Sequence, residues 1–194
     1  MPVPKHRQGG YTYADYQTSS DNERWEIIEG VAYQMTPPTI IHQRILRRLS
    51  TEIDIYLRGR DCEVFFAPVA VVLSNADEDL EKTSTVVEPD LIVVCDPKKI
   101  TPKGCVGAPD FVVEITSPTT AKQDHIRKRM IYEQNNVQEY WIIDPINRIV
   151  TVYLLFDKGK FSEPKIYSDE DIIPIDILCR HPINMKDIFG PAEL

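Results

Sequence analysis

Residues 111–116 (FVVEIT) and 139–143 (EYWII) read as apolar strands, and a helix-patterned stretch from about 119 to 135 lies between them. Strand, helix and strand in that order predict a parallel crossover, because parallel neighbours need a long connection. This unit decides the class: an α/β chain with a mixed sheet and helices packed against it. The upstream pattern fits the same frame. Residues 63–66, 69–73 and 90–95 read as strands, and RWEIIEGVAYQM as two additional N-terminal strands turning at Glu29 and Gly30. In PPTIIHQRILRRLSTEIDIYLR, Ile41, Ile45, Leu49, Ile53 and Tyr56 recur at helical spacing behind two prolines, which predicts an amphipathic helix.

Shorter features fill the gaps. Residues 11–20 predict a short helix, the acidic stretch 74–83 a loop, and the Lys, Pro and Gly-rich stretch 96–110 another loop. RIVTVYLL should return as the partner of 139–143 across a turn at Asp144 and Pro145. The tail beyond Phe161 promises one or two short edge strands and a last turn of helix. No repeat or low-complexity linker divides the 194 residues, so one domain over 1–194 is expected.

Hydrophobic content of 42% with 27% charged residues is that of a globular chain. No apolar run reaches the length of a membrane span, and MPVPKHRQGG lacks the apolar core of a signal peptide. A cytoplasmic protein is the expectation. Cys62, Cys95, Cys105 and Cys179 form no CxxC pair, so buried free thiols are expected ahead of a zinc site or a disulfide frame. A net charge of -8 argues against nonspecific coating of nucleic acid or of an anionic membrane. The basic residues cluster all the same: Arg44, Arg47, Arg48, Arg58 and Arg60 in one stretch, Lys122, Arg127, Lys128 and Arg129 in another. Local phosphate contacts and solvated helix faces both fit such clusters.

Two acids interrupt the apolar runs. Asp90 opens LIVV and Glu114 lies inside FVVEI. Burying an ionised acid costs roughly several kcal/mol unless its charge is offset. Alternation places Val112, Glu114 and Thr116 on one strand face and Phe111, Val113 and Ile115 on the other. Glu114 stands near the carboxyl end of its strand, where open sheets collect ligands. If Asp90 begins a neighbouring strand, the two carboxylates converge, and a hard divalent cation, Mg2+ or Mn2+, would join them. Asp124, Lys128 and Tyr132 follow at helical spacing on one face, so Lys128 can reach back toward the pair. The plain alternative is an Asp124–Lys128 helical ion pair worth about 0.3–0.5 kcal/mol. In SPTT, residues 117–120, capping of the helix is the simpler role, although a helix N-terminus also suits phosphate.

EPDLIVVC together with GAPDFVVEITSPTTAKQDHIRKRMIYEQNNVQEYWIIDP resembles the Uma-type family of restriction endonucleases, within the PD-(D/E)XK nuclease superfamily. The likeness extends upstream to WEIIEGVAYQMTPPTIIHQRILRRL and covers roughly residues 10 to 155. It implies a restriction-endonuclease-like core and a metal-dependent nuclease site acting on DNA. Asp90 corresponds to the first acid of the motif and Glu114 to the second. The superfamily wants a lysine two residues on, where this chain has Thr116. Lys128, on the following helix, matches the family's replacement. Glu26 and His42 match family positions and are candidates for a further ligand or a supporting role, beside Asp124 and Tyr132. Arg44, Arg47, Arg48, Lys122 and Arg127 are candidate phosphate contacts. A symmetric dimer would let two sites cut both strands. The rival reading, favoured by Thr116 and the net charge, is a non-catalytic nucleic-acid-binding or scaffold protein retaining the nuclease fold. Hydrolysis of a smaller phosphoester also stays open.

Overall fold

The run Phe111–Ile115 is buried along its whole length because both faces of its sheet are covered. In the computed structural model, residues 4–18, 24–74, 79–118, 120–156 and 159–191 are described. The chain begins with β1 (Pro4–Lys5), α1 (Tyr13–Thr18), β2 (Trp25–Ile28), β3 (Val31–Gln34) and α2 (Ile40–Leu57). It continues through β4 (Glu63–Phe66), β5 (Val71–Val72), β6 (Val86–Val87), β7 (Leu91–Val94), β8 (Ile100–Thr101), β9 (Gly104–Val106) and β10 (Phe111–Ile115). A π-helical segment, Gln123–Lys128, runs into α3 (Arg129–Gln134). Then come β11 (Glu139–Asp144), β12 (Ile149–Phe156), β13 (Lys160–Phe161), β14 (Lys165–Ser168), β15 (Ile172–Ile175), β16 (His181–Asn184) and α4 (Met185–Phe189).

Two mixed sheets result. The main one runs β13-β12-β11-β10-β7-β4, with β14 added beside β12; the other runs β1-β3-β2-β6-β5-β9-β8. The predicted crossover is present: β10 and β11 are parallel, with Val112 opposite Tyr140 and Glu114 opposite Ile142. On its other side β10 lies antiparallel to β7, Val113 opposite Leu91. One face of the main sheet offers Phe111, Val113, Trp141 and Ile143 to Ile45, Leu49 and Ile53 of α2. The opposite face offers Val112, Tyr140 and Ile142 to Tyr132 of α3 and to Ile28 and Val71 of the other sheet. Strands covered on both sides need no polar alternation, which is why these runs are continuously apolar. The β2–β3 turn forms at Glu29 and Gly30, both at positive φ (50° and 76°), as a tight two-residue hairpin requires.

Several expectations need correction. Cys62 and Cys95 form a disulfide and are not free thiols. Glu63 pairs with Val94, so continuing the register by one residue brings the two cysteines together. Pairing of that kind is invisible in composition. Cys105 is a buried free thiol as expected, whereas the free Cys179 is exposed. Residues 96–110 hold more than a loop: β8 and β9 form a hairpin whose second strand pairs with β5. Gly104 permits that approach, since a Cβ there would stand 2.3 Å from the Ala70 carbonyl oxygen. β6 was also not anticipated. Among the described residues the tail beyond Phe161 carries three strands, β14 to β16, where one or two were expected, and the last helical turn is α4. Leu80–Lys82 forms a short 3-10 turn capped by Asp79, and residues 75–78 of the acidic stretch, like residue 119, lie outside the described residues. Among the described residues no helix is long and apolar enough to cross a membrane.

A buried acid far from the two interrupting ones links the tail to the core. Glu139, fully buried at the start of β11, accepts from Trp141 Nε1 (2.7 Å) and the Ile177 N–H (3.1 Å). Burial outweighs these hydrogen bonds and raises its pKa from 4.5 to about 7. Between those values the native state holds more protons at this group than the unfolded chain, so its contribution to stability falls as pH rises. The loss amounts to about 3 kcal/mol across the window at most. Urea unfolding from pH 4 to 8 should show this decline in the wild type, and Glu139→Gln should remove it from the difference curve.

Candidate active site

Antiparallel pairing of β7 with β10 brings Asp90 beside Ile115. The Ile115 N–H donates to Asp90 Oδ2 at 2.7 Å, extending the ladder through a side chain. His42, in the first turn of α2 behind its Thr39 cap, places Nε2 3.0 Å from Asp90 Oδ1. Both oxygens of Asp90 are thereby oriented. Glu114 projects from the opposite side of β10 to Ile115, toward the π-helical segment.

Lys128 is the centre of the site. Its Nζ lies 2.7 Å from Glu26 Oε1, 2.9 Å from Glu114 Oε1 and 3.9 Å from Asp124 Oδ1. All four side chains are at least nine-tenths buried. Tyr132 donates its hydroxyl to the same Glu114 Oε1 at 2.8 Å. Lys128 and Tyr132 therefore converge on one oxygen, from the π-helical segment and the α3 turn that continues it. Widened turns of this type are frequent at functional sites. Glu26 is fixed in turn by the Glu88 N–H (2.9 Å) and by Gln123 Nε2 (3.5 Å). Ser117 and Thr120 exchange hydrogen bonds at the start of the segment, the capping role read from SPTT.

The electrostatics follow from three acids sharing one ammonium. Burial alone would lower the Lys128 pKa, but Glu114, Glu26 and Asp124 together hold it well above its usual value. The lysine is a permanent cation. Burial pushes the Glu114 carboxyl well up, and Asp124 up to about 6, with Lys128 opposing both shifts. The cluster thus carries more negative charge than the lysine offsets, and a proton or another cation relieves the excess.

These side chains border one narrow cleft of about 120 Å³ that also reaches Asp90, His42 and the strand end at Ile115. Among the described residues no group of three or more His, Cys, Asp and Glu stands ready as a complete metal shell. The donors nevertheless suit a hard divalent ion. Among the described residues Glu114 receives its hydrogen bonds on Oε1 alone, leaving Oε2, and Asp90 adds a second carboxylate. Mg2+ is bound through one or two carboxylates, with water and substrate oxygens completing its shell.

The structure unites Asp90, Glu114, Lys128, Glu26, His42, Asp124 and Tyr132. Thr116, where the superfamily lysine would stand, is buried and donates to the Ile143 carbonyl oxygen at 3.3 Å. The basic candidates differ in their surroundings. Arg44, Arg47 and Lys122 are exposed, Arg48 donates to the Ile188 carbonyl oxygen, and Arg127 bonds the Tyr33 hydroxyl. Sequence reasoning missed Gln123, Glu88, Tyr33 and Arg24, which border or brace the cleft. Arg24 and Glu26 stand two apart, a spacing that marks a shared strand face, but Glu88 required the long-range register.

Comparison with known proteins gives the chain a family and a fold likeness. The family model "Uma2: Putative restriction endonuclease" matches residues 12–179. The uncharacterized protein slr1290 of Synechocystis sp. is 29% identical over 138 residues, covering 71% of this chain and 69% of that protein. A crystal structure from Anabaena variabilis, described as "a putative nuclease belonging to DUF820", superposes with a TM-score of 0.72. It covers 90% of this chain and 94% of its own at 18% identity, a likeness of fold.

Lys128→Met would strand three buried acids. It should destabilise the protein by roughly 3–5 kcal/mol at neutral pH, the cost of leaving buried charge unpaired. The loss should shrink at acid pH as the carboxyls take up protons, and the double variant Lys128→Met/Glu114→Gln should recover part of it. Urea unfolding of both variants at two pH values measures each effect.

Proposed function

This chain belongs to the Uma2 family of restriction-endonuclease-type proteins, and from that premise we propose that it hydrolyses DNA phosphodiester bonds with Mg2+ or Mn2+. The observation that carries the reading is Lys128 Nζ at 2.9 Å from Glu114, in the cleft that also holds Asp90. Acid, acid and lysine are brought together in space although the lysine comes from the helix and not from the position of Thr116.

Asp90 and Glu114 would hold the cation, which supplies an activated water and offsets charge on the scissile phosphate. The remaining work falls to the protein. Lys128 stays protonated, so it serves as a fixed positive charge beside the developing charge on phosphorus oxygens, and not as a base. Glu26 and Asp124 hold the ammonium in place. Tyr132 fixes Glu114 Oε1 and so turns the other oxygen free for the cleft. His42 and the Ile115 N–H orient Asp90, limiting the reorganisation left for the moment of reaction.

The test is nicking of supercoiled plasmid in Mg2+ and in Mn2+ by the wild type, Asp90→Asn, Glu114→Gln and Lys128→Arg. Metal-dependent nicking is expected, reduced about 100-fold or more by either acid substitution. Binding of Mn2+, read as a rise in melting temperature, should be lost in Asp90→Asn. Equal nicking by wild type and Glu114→Gln would overturn the assignment of the site. Absence of nicking and of any metal-induced stabilisation would favour the non-catalytic reading.

A further inference from the structure

The cleft that holds Asp90, Glu114 and Lys128 is also lined by Arg24. Arg24 directly precedes β2, so strand alternation puts it on the same side as Glu26 and ~7 Å away along the chain. In a cleft rich in carboxylates an arginine would be expected to neutralise the nearest acid of the site. It does not. Its Nε and Nη2 both donate to Glu88 Oε2, at 2.9 and 2.6 Å. The other oxygen of Glu88 accepts from the Tyr16 hydroxyl at 2.7 Å. Glu88 is 6% exposed at its side chain, whereas Arg24 is 37% exposed.

Glu88 and Tyr16 thus act as a buried bracket that holds one edge of the guanidinium. The group is planar, with five N–H donors in a fixed fork, and its charge is permanent. The bracket uses the Nε edge, and Nη1 makes no hydrogen bond among the described residues. A guanidinium fixed on one edge and open on the other matches phosphate oxygens, to which it offers parallel N–H groups. Held in position beforehand, it loses little side-chain freedom on binding.

We propose that Arg24 is the phosphate-holding residue of this cleft: the N–H groups outside the Glu88 bracket take an oxygen of a backbone phosphate on the polynucleotide strand lying there. The ligand class rests on the nuclease reading above, but the contact needs no cleavage. It is a contact to the backbone, so it positions the strand and carries no sequence information. Glu88 is the positioning residue behind it.

Fluorescence anisotropy with a labelled oligonucleotide, in Ca2+ and again in EDTA over a series of salt concentrations, tests this. Arg24→Gln should weaken binding about tenfold, equally for unrelated sequences, and flatten the dependence of log K on log salt by about 0.7–0.9, one phosphate contact. Arg24→Lys should keep the salt slope while losing part of the affinity, since an ammonium has no fork. The double variant Arg24→Gln/Glu88→Gln, which leaves no buried charge unpaired, should repeat the loss of slope with a normal melting temperature. Wild-type affinity and slope in that double variant would overturn the proposal while leaving the nuclease reading intact. A wild-type protein that binds no oligonucleotide in either condition would instead overturn the nuclease reading, and the Arg24 assignment with it.

Discussion

A single buried ammonium organises this protein. Lys128 meets Glu26 and Glu114 at hydrogen-bond distance and Asp124 slightly farther off. None of the three acids would tolerate its burial alone, and the lysine would not tolerate its own. Each group therefore constrains the placement of the others. The widened turn over Gln123–Lys128 points the lysine inward, β10 presents Glu114 at its end, and the β2–β3 hairpin delivers Glu26. Mutual dependence of this kind fixes geometry more strictly than apolar packing does, because a misplaced charge costs more than a misplaced methyl group.

The fold was legible where burial is two-sided. FVVEI and EYWII betray themselves by unbroken apolar character, and the parallel pairing of β10 with β11 follows from the helix between them. The α2 helix announces itself through Ile45, Leu49 and Ile53, all fully buried. What escaped were elements too short to carry a pattern. The two residues of β6 and the β8–β9 hairpin owe their existence to partners distant in sequence, and GCV at β9 reads as a loop until Ala70 is placed against it. The disulfide escaped for the same reason. Nothing local to Cys62 points to Cys95; only the pairing of β4 with β7 does.

The site was legible through its misfits. Glu114 breaks an apolar strand, and Lys128 lies four residues from both Asp124 and Tyr132, so a shared face could be read from spacing alone. Glu26 and His42 entered through family resemblance, because neither stands out locally. Arg24 and Glu88 stayed hidden since their contact spans 64 positions in sequence. The basic clusters were legible as clusters, but the partners of their members were not. Arg48 braces the C-terminal helix and Arg127 rests on Tyr33, contacts that no local pattern announces.

Glu26 belongs to one sheet and Glu114 to the other, yet both hold the same nitrogen. The lysine is therefore a rivet between the two layers as well as the centre of the cleft's charge. Any cation that settles among these carboxylates draws on the attraction that joins the layers. A change in the charge state of the cleft is therefore also a change in the attraction between the two sheets.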